Sequence, residues 1–217
     1  MLDACNHGDT SGAREDPAGS AASPSNGVYS GEERRQILQL ARRTVRAAAA
    51  SGQRPDIRPA ALAAKLSEPK GCFVTLTETG RLRGCIGHLF AEEPLFQAVV
   101  NSAFSAALQD ARFAPVTPAE VDLLEIEVSV LSAPEPLEFQ SPEDLLARLQ
   151  PHQDGVVLNL RGHSATYLPQ VWEQLPDKVK FLESLSQKAG CAAGAWRDSD
   201  TTVLIYHVEA FKESELR

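Results

Sequence analysis

Residues 72–86 constrain the fold of this chain more than any other stretch. Cys72-Phe73-Val74-Thr75-Leu76-Thr77 alternates and is rich in β-formers, and Glu78-Thr79-Gly80-Arg81 supplies a turn. Leu82 to Ile86 then returns, so the spacing predicts an antiparallel hairpin. Cys72, Val74 and Leu76 share one face of the first strand, which makes Cys72 an inert core residue. On the second strand the same period predicts Leu82, Gly84 and Ile86 on one face and Arg83, Cys85 and Gly87 on the other.

That second strand also nominates a site. Leu82-Arg83-Gly84-Cys85-Ile86-Gly87-His88 holds a cysteine near an arginine and a histidine, with glycines close on both sides. The glycines remove the Cβ bulk that keeps a ligand from the backbone. With Arg83 and Cys85 on one face, the guanidinium favours the thiolate, and His88 can assist as a cation or act as a base. Cys85 and His88 are also a C-x-x-H pair, which is half of a zinc site and would need further ligands such as His163, Cys191 or His207.

Around the hairpin the sequence alternates helix and strand signals. Ser30 with Glu33 is a capping box that opens a helix with Ile37, Leu38, Ala41, Val45 and Ala48 on one stripe, stopped at Gly52. Pro94 opens a second helix to about Asp110, with Ala98, Ser102, Ala103 and Ala106 inward. Thr117-Pro118-Ala119-Glu120 reads as another capping box, and a strand follows with Ile126, Val128 and Val130 inside. Glu125 and Glu127 take that strand's outer face, where a solvated sheet surface is the expected role. Ser141 starts a short helix, residues 156–160 and 165–168 form a strand pair, and Asp177 caps a helix closed by Gly190. Thr202 to Phe211 reads as one final, central strand, with His207 a core histidine. The mixture predicts an α+β fold, a mostly antiparallel sheet flanked by helices with a smaller second lobe, within a single domain over residues 29–217.

Composition narrows the function classes. The chain has 217 residues, 43% of them hydrophobic, and a net charge of -8. An acidic surface lacks the basic footprint of nucleic-acid binding and is repelled by anionic membranes. No apolar run has the length of a membrane span or the character of a secretory signal. Four widely spaced cysteines fit a reducing, cytoplasmic setting better than a disulfide framework. Residues 1–28, rich in Gly, Ser, Ala, Asp and Pro, are expected to be a disordered leader, and Cys5 with His7 is expected to be tail rather than a metal half-site. No G-x-G-x-x-G or Walker pattern follows a strand.

Five segments occur in an order that resembles a known family. They are Gly71-Cys72-Phe73-Val74-Thr75-Leu76; Leu82-Arg83-Gly84-Cys85-Ile86-Gly87; Asp110 with Arg112-Phe113 and Pro115; Tyr167-Leu168-Pro169-Gln170-Val171-Trp172-Glu173; and Phe181-Leu182 with Lys188-Ala189-Gly190. Over about Ser30 to Phe211 the chain is similar to the AMMECR-one domain family, also called protein A of the AmmeMemoRadiSam system. The resemblance implies a two-lobed α+β fold. It also implies two partners, a Memo-like protein and a radical S-adenosylmethionine (radical SAM) enzyme, and leaves the activity open. Bacterial members carry an arginine pair where this chain has His163-Ser164-Ala165-Thr166, so no anion site is carried over to that segment, and His88 falls at a variable position.

Cys85 and Arg83 are therefore the expected catalytic pair, with Gly84, Gly87, His88, Arg112 and His163 as expected substrate-binding residues and neither cofactor nor resident metal. Cys85 would attack an electrophilic carbon or carry an acyl or alkyl group, and backbone N–H groups near Gly84 and Gly87 would steady developing negative charge. Arg112 has two roles open to it: a helix-end partner of Asp110, or an anion clamp. Lys188 carries little weight as a site residue, and Trp172 and Trp196 are expected to be packing anchors. Two other function classes remain, a non-catalytic adaptor for the partner proteins and a metal-delivery protein.

Overall fold

The structure, a computed structural model, describes residues 28–216. The expected leader, with Cys5 and His7, lies outside them apart from Val28. Among the described residues there are four α-helices: α1 (Gly31–Ser51), α2 (Leu95–Leu108), α3 (Pro142–Arg148) and α4 (Lys178–Lys188). Eight strands accompany them: β1 (Cys72–Glu78), β2 (Arg81–His88), β3 (Leu124–Leu131), β4 (Glu135–Pro136), β5 (Gly155–Leu160), β6 (His163–Tyr167), β7 (Thr202–Tyr206) and β8 (Val208–Lys212). They form two antiparallel sheets of four strands, ordered β2-β1-β3-β8 and β4-β7-β5-β6. The fold is mixed α+β, and each sheet has its own core.

The first core forms because α1 and α2 lay apolar stripes on one face of the first sheet. Ser30 caps α1 with a complete capping box, and Ile37, Leu38, Ala41, Val45 and Ala48 are buried against Val74, Leu76, Ile126 and Val128. α2 contributes Ala98, Val99, Ala103 and Ala106, small side chains that bring its backbone close to β2. In the second core Trp172 stacks on Phe181 with centroids 3.6 Å apart, among Leu145, Leu182, Leu185 and Trp196. Each such fully buried large side chain stabilises the fold by about 1.5–3 kcal/mol. The Trp172 indole N–H donates to the Asp154 carbonyl at 2.7 Å, satisfying its polar edge.

Three expectations about elements are corrected. Residues 202–211 are two strands in different sheets, because the chain crosses from one sheet to the other at His207. The His207 N–H donates to Ser132 Oγ at 3.0 Å and its carbonyl accepts the Ser132 N–H at 2.9 Å, tying together the two crossings between sheets. His207 is also exposed rather than in the core, with Nε2 3.4 Å from Asp154 Oδ1. Finally, Thr117–Glu120 forms a turn leading to a single 3-10 turn (Val121–Leu123) and no α-helix. Glu120 does reach back to the Thr117 N–H and hydroxyl, both at 2.7 Å.

A third apolar cluster joins the two sheets. Leu131, Val157 and Tyr206 are buried in it, with Phe73, Leu89, Leu168, Leu204 and Val208 packed around them. Phe73 sits on the face of the first sheet opposite the helices, so the second lobe covers one end of that outer face.

Candidate functional site

Register determines what stands beside Cys85. Cys85 pairs with Thr75, Thr75 with Glu127, and Glu127 with Lys212. These residues form one cross-strand row on the outer face of the sheet. One step along is the row of Gly87, Phe73 and Ser129, where Phe73 enters the seam with the second lobe. One step the other way lie Leu82, Thr77 and Glu125. The Cys85 row thus begins where the second lobe's cover over Phe73 gives way to half-buried polar residues.

Within the row, the Thr75 hydroxyl donates to Cys85 Sγ at 3.2 Å. Lys212 Nζ lies 3.4 Å from Glu127 Oε2. Cys85 itself is half-buried, in contrast to Cys72, whose burial pushes its thiol up to about 12.

The backbone of Cys85 is held from the other side. β2 is an edge strand, and an edge presents unpaired N–H and C=O groups. Here the Cys85 N–H donates to Asp110 Oδ2 at 2.9 Å, and Arg112 donates to the Cys85 carbonyl at 3.1 Å. Arg112 also grips both oxygens of Asp110, at 2.9 and 2.7 Å. That bidentate bond, with the Cys85 and Arg112 amides, holds the Asp110 carboxyl well below the usual carboxylate range. Asp110 is buried and Arg112 is 55% exposed over the Phe113 ring, with its guanidinium 5.4 Å from the centroid. The helix-end pairing of Asp110 and Arg112 is therefore present, and it acts as a substitute neighbour strand.

The structure separates Arg83 from the role expected of it. The register shifts between Leu76 and Thr77, leaving Arg83 as the extra residue of a bulge between Leu82 and Gly84. The bulge moves Leu82 to the outer face, where it is 44% exposed, rather than aligning it with Gly84 and Ile86. It also turns Arg83 away from the sulfur. Its guanidinium donates to Glu120 at 3.0 Å, to the Ala114 carbonyl at 2.8 Å and to the Pro115 carbonyl at 3.3 Å. The side chain is 14% exposed, so Arg83 staples the 114–120 loop to the hairpin.

The glycines serve packing rather than ligand approach. A Cβ on Gly84 would lie 2.3 Å from the Ala106 carbonyl oxygen, so its missing side chain admits the α2 backbone. A Cβ on Gly87 would lie 2.1 Å from the Cys72 carbonyl oxygen and 2.5 Å from Phe73 Cα. With the Cys85 N–H held by Asp110, that amide is not free to receive developing negative charge.

The histidines lie elsewhere. His88 pairs with Cys72 at the far end of β2, on the opposite face from Cys85. It lines a cavity of about 320 Å³ with Cys72, Ser102, Glu92 and Glu93. The C-x-x-H pair therefore does not converge. His163 is exposed at the turn end of β6, an edge strand of the second sheet, and stands four positions before Tyr167 beside the seam. That is about 13 Å of strand, so His163 does not join the Cys85 row.

Sequence reasoning missed Thr75, Glu127 and Lys212 as members of the Cys85 row. Period-two alternation already placed Thr75 and Glu127 on outer faces. The missing information was register, which sets Thr75 against Cys85 and lines up β3 and β8 beyond it in the same row.

Residues 38–211 match the AMMECR1 family. The chain is 37% identical over 186 residues to a protein of Methanosarcina acetivorans, covering 84% of this chain and 92% of that one. It is 34% identical over 188 residues to a protein of Methanopyrus kandleri, covering 85% and 90%. Among solved structures it resembles the uncharacterized protein PH0010 from Pyrococcus horikoshii, with a TM-score of 0.75, 34% identity, and coverage of 84% and 92%.

Proposed function

From the premise that this chain belongs to the AMMECR1 family, we propose that it handles a small electrophilic metabolite through Cys85 in the cytoplasm, alongside a radical SAM enzyme and a Memo-like protein. The observation that carries this reading is the half-buried sulfur of Cys85, which accepts a hydrogen bond from the Thr75 hydroxyl. That hydrogen bond fixes the orientation of the sulfur. The Asp110–Arg112 pair fixes the backbone beneath it, so the sulfur is held in one place before any ligand arrives. The thiol gives up its proton to solvent, the sulfur's lone pair attacks an acyl or alkyl carbon, a carbon–sulfur bond forms, and the leaving group departs with its bonding electrons. Arg83, Gly84 and Gly87 support this arrangement as structural residues. Arg112, exposed on one side, is the remaining expected residue beside Cys85 with a face toward solvent.

A second reading is favoured by a separate observation: Arg83, Gly84, Gly87 and Asp110 are all turned toward the fold itself. Under that reading the motif builds a rigid docking surface for the partner proteins, and Cys85 only packs. One experiment separates the two. Cys85→Ala is compared with wild type in a pathway reconstituted from this protein and the two partners. Loss of turnover with retained partner association supports the thiol reading, and full turnover removes it. A variant that folds but no longer associates supports the adaptor.

A further inference from the structure

We propose that a cavity beside the two crossings between sheets binds a small organic acid, an apolar body ending in a carboxylate. The cavity measures about 320 Å³ and is lined by both crossing residues, Ser132 and His207. That volume lies within the range of small-molecule sites. Val28, Val130, Leu131 and Val208 give it a mostly apolar wall. Cys85 does not line it, so the site is separate from the thiol.

An unpaired polar group belongs to the same wall. Tyr29 lines the cavity and is 2% exposed, and its hydroxyl is buried with no hydrogen-bond partner among the described residues. Buried polar groups in native proteins are nearly always paired, and one left unpaired is costly. The Tyr29 hydroxyl therefore marks the place of a missing partner. Burial, with the carboxylates of Glu68, Glu209 and Glu33, pushes it above its ordinary value of 10.0. It stays protonated, and the partner it needs is an acceptor.

The charged and hydroxyl groups around it are already engaged, with one exception. Glu209 accepts the N–H groups of Val28 and Tyr29 at 2.6 and 3.2 Å, and the Arg34 guanidinium at 3.1 and 2.8 Å. Ser132 Oγ accepts the His207 N–H at 3.0 Å and donates to the Ala133 carbonyl at 3.3 Å. The His207 imidazole lies 3.4 Å from Asp154. Lys70 is the exception: its ammonium is 3.8 Å from the exposed Glu68 carboxylate, a loose surface pair of little worth. A hydroxyl donor and a cation are thus left to meet a ligand. A carboxylate satisfies both. An alcohol leaves Lys70 without a counter-charge, and a protonated amine offers the hydroxyl no acceptor and is repelled by Lys70.

Three probes with one tail test this: octanoate, 1-octanol and octylammonium, each titrated into the full isotope-labelled chain. The amide shifts of Tyr29, Leu131 and Val208 locate the probe, and their saturation gives Kd. Octanoate is expected to bind there at least about threefold more tightly than either other probe. Lys70→Met is expected to weaken octanoate about 2- to 10-fold and to leave 1-octanol unchanged. Tyr29→Phe is expected to weaken octanoate by a similar factor. Without ligand, this variant should melt at or above the wild-type temperature, because it no longer buries an unpaired hydroxyl. No saturable binding of octanoate, or octylammonium binding as tightly, overturns the acid assignment. Shifts confined to other parts of the chain overturn the site. An octanoate Kd unchanged in both variants overturns the roles of Lys70 and Tyr29. A ligand-free Tyr29→Phe protein melting below wild type shows the hydroxyl to be paired without a ligand, and the proposal falls.

Discussion

Asp110 and Cys85 meet across the open edge of β2, where the Asp110 carboxylate accepts the Cys85 N–H at 2.9 Å. Among the described residues the sheet has no further strand on that side, and a carboxylate with its guanidinium partner fills the place of one. The arrangement explains why an aspartate and an arginine just past α2 accompany the L-R-G-C-I-G hairpin. They satisfy the backbone of the cysteine without using its side chain.

Asp110→Ala is expected to destabilise the protein by about 1–3 kcal/mol, because it leaves a partly buried amide unsatisfied and releases Arg112. Urea unfolding would report this as a lower midpoint at unchanged slope. A midpoint shift worth less than ~0.5 kcal/mol would mean that water replaces the carboxylate at no cost.

Acid should weaken the same region in a defined window. Arg112 holds Asp110 well below its ordinary value of 3.8, and the Thr117 amide and hydroxyl, with Arg83, bring Glu120 from 4.5 to about 2. Both groups are depressed on folding. Their stabilisation is therefore complete above the unfolded values and is lost as pH falls through the folded ones. Unfolding midpoints should decline from pH 4.5 toward pH 2, and Glu120→Gln should flatten part of that slope. An unaltered slope in the variant would show that Glu120 does not contribute to it.

Gly84→Ala and Gly87→Ala should each cost about 1–3 kcal/mol or more, since the added carbon meets backbone that cannot rotate away. Gly31→Ala is the control. Its Cβ would meet only the end of the Arg35 side chain at 3.8 Å, in the first turn of α1, and its melting temperature should match wild type. Equal melting temperatures for all three variants would contradict the close approach of α2 to β2.

Native alkylation should distinguish the hairpin cysteines. Cys72 is 1% exposed with its thiol pushed up to about 12, so it should stay unmodified until the protein unfolds. Cys85 should react in the native state, and Thr75→Val should slow that reaction roughly 2- to 10-fold by removing one hydrogen bond to sulfur. An unchanged rate in Thr75→Val would remove the hydroxyl from any role in activation.

The hairpin, the capped helices and the inward stripes were legible because each depends on neighbours within a few residues. Ser30 with Glu33 forms its capping box locally, and alternation marked Val74 and Ile126 for the core. Arg83 was misplaced because strict alternation carries no sign of a bulge. His207 was misplaced because nothing local marks a strand that changes sheets. Trp172 and Trp196 were correctly read as anchors, since large apolar side chains have few other stable places.

The sequence by itself determined the element types, the mixed α+β class and the family, because periodicity, capping and motif order are written along the chain. Only the tertiary structure decided what stands next to Cys85. Register sets Thr75 against it and lines up Glu127 and Lys212 further along the same row, and Asp110 reaches its backbone by the length of α2. The physical reason is that a chain specifies its local geometry directly, whereas contacts between distant segments depend on how all the buried faces fit together at once.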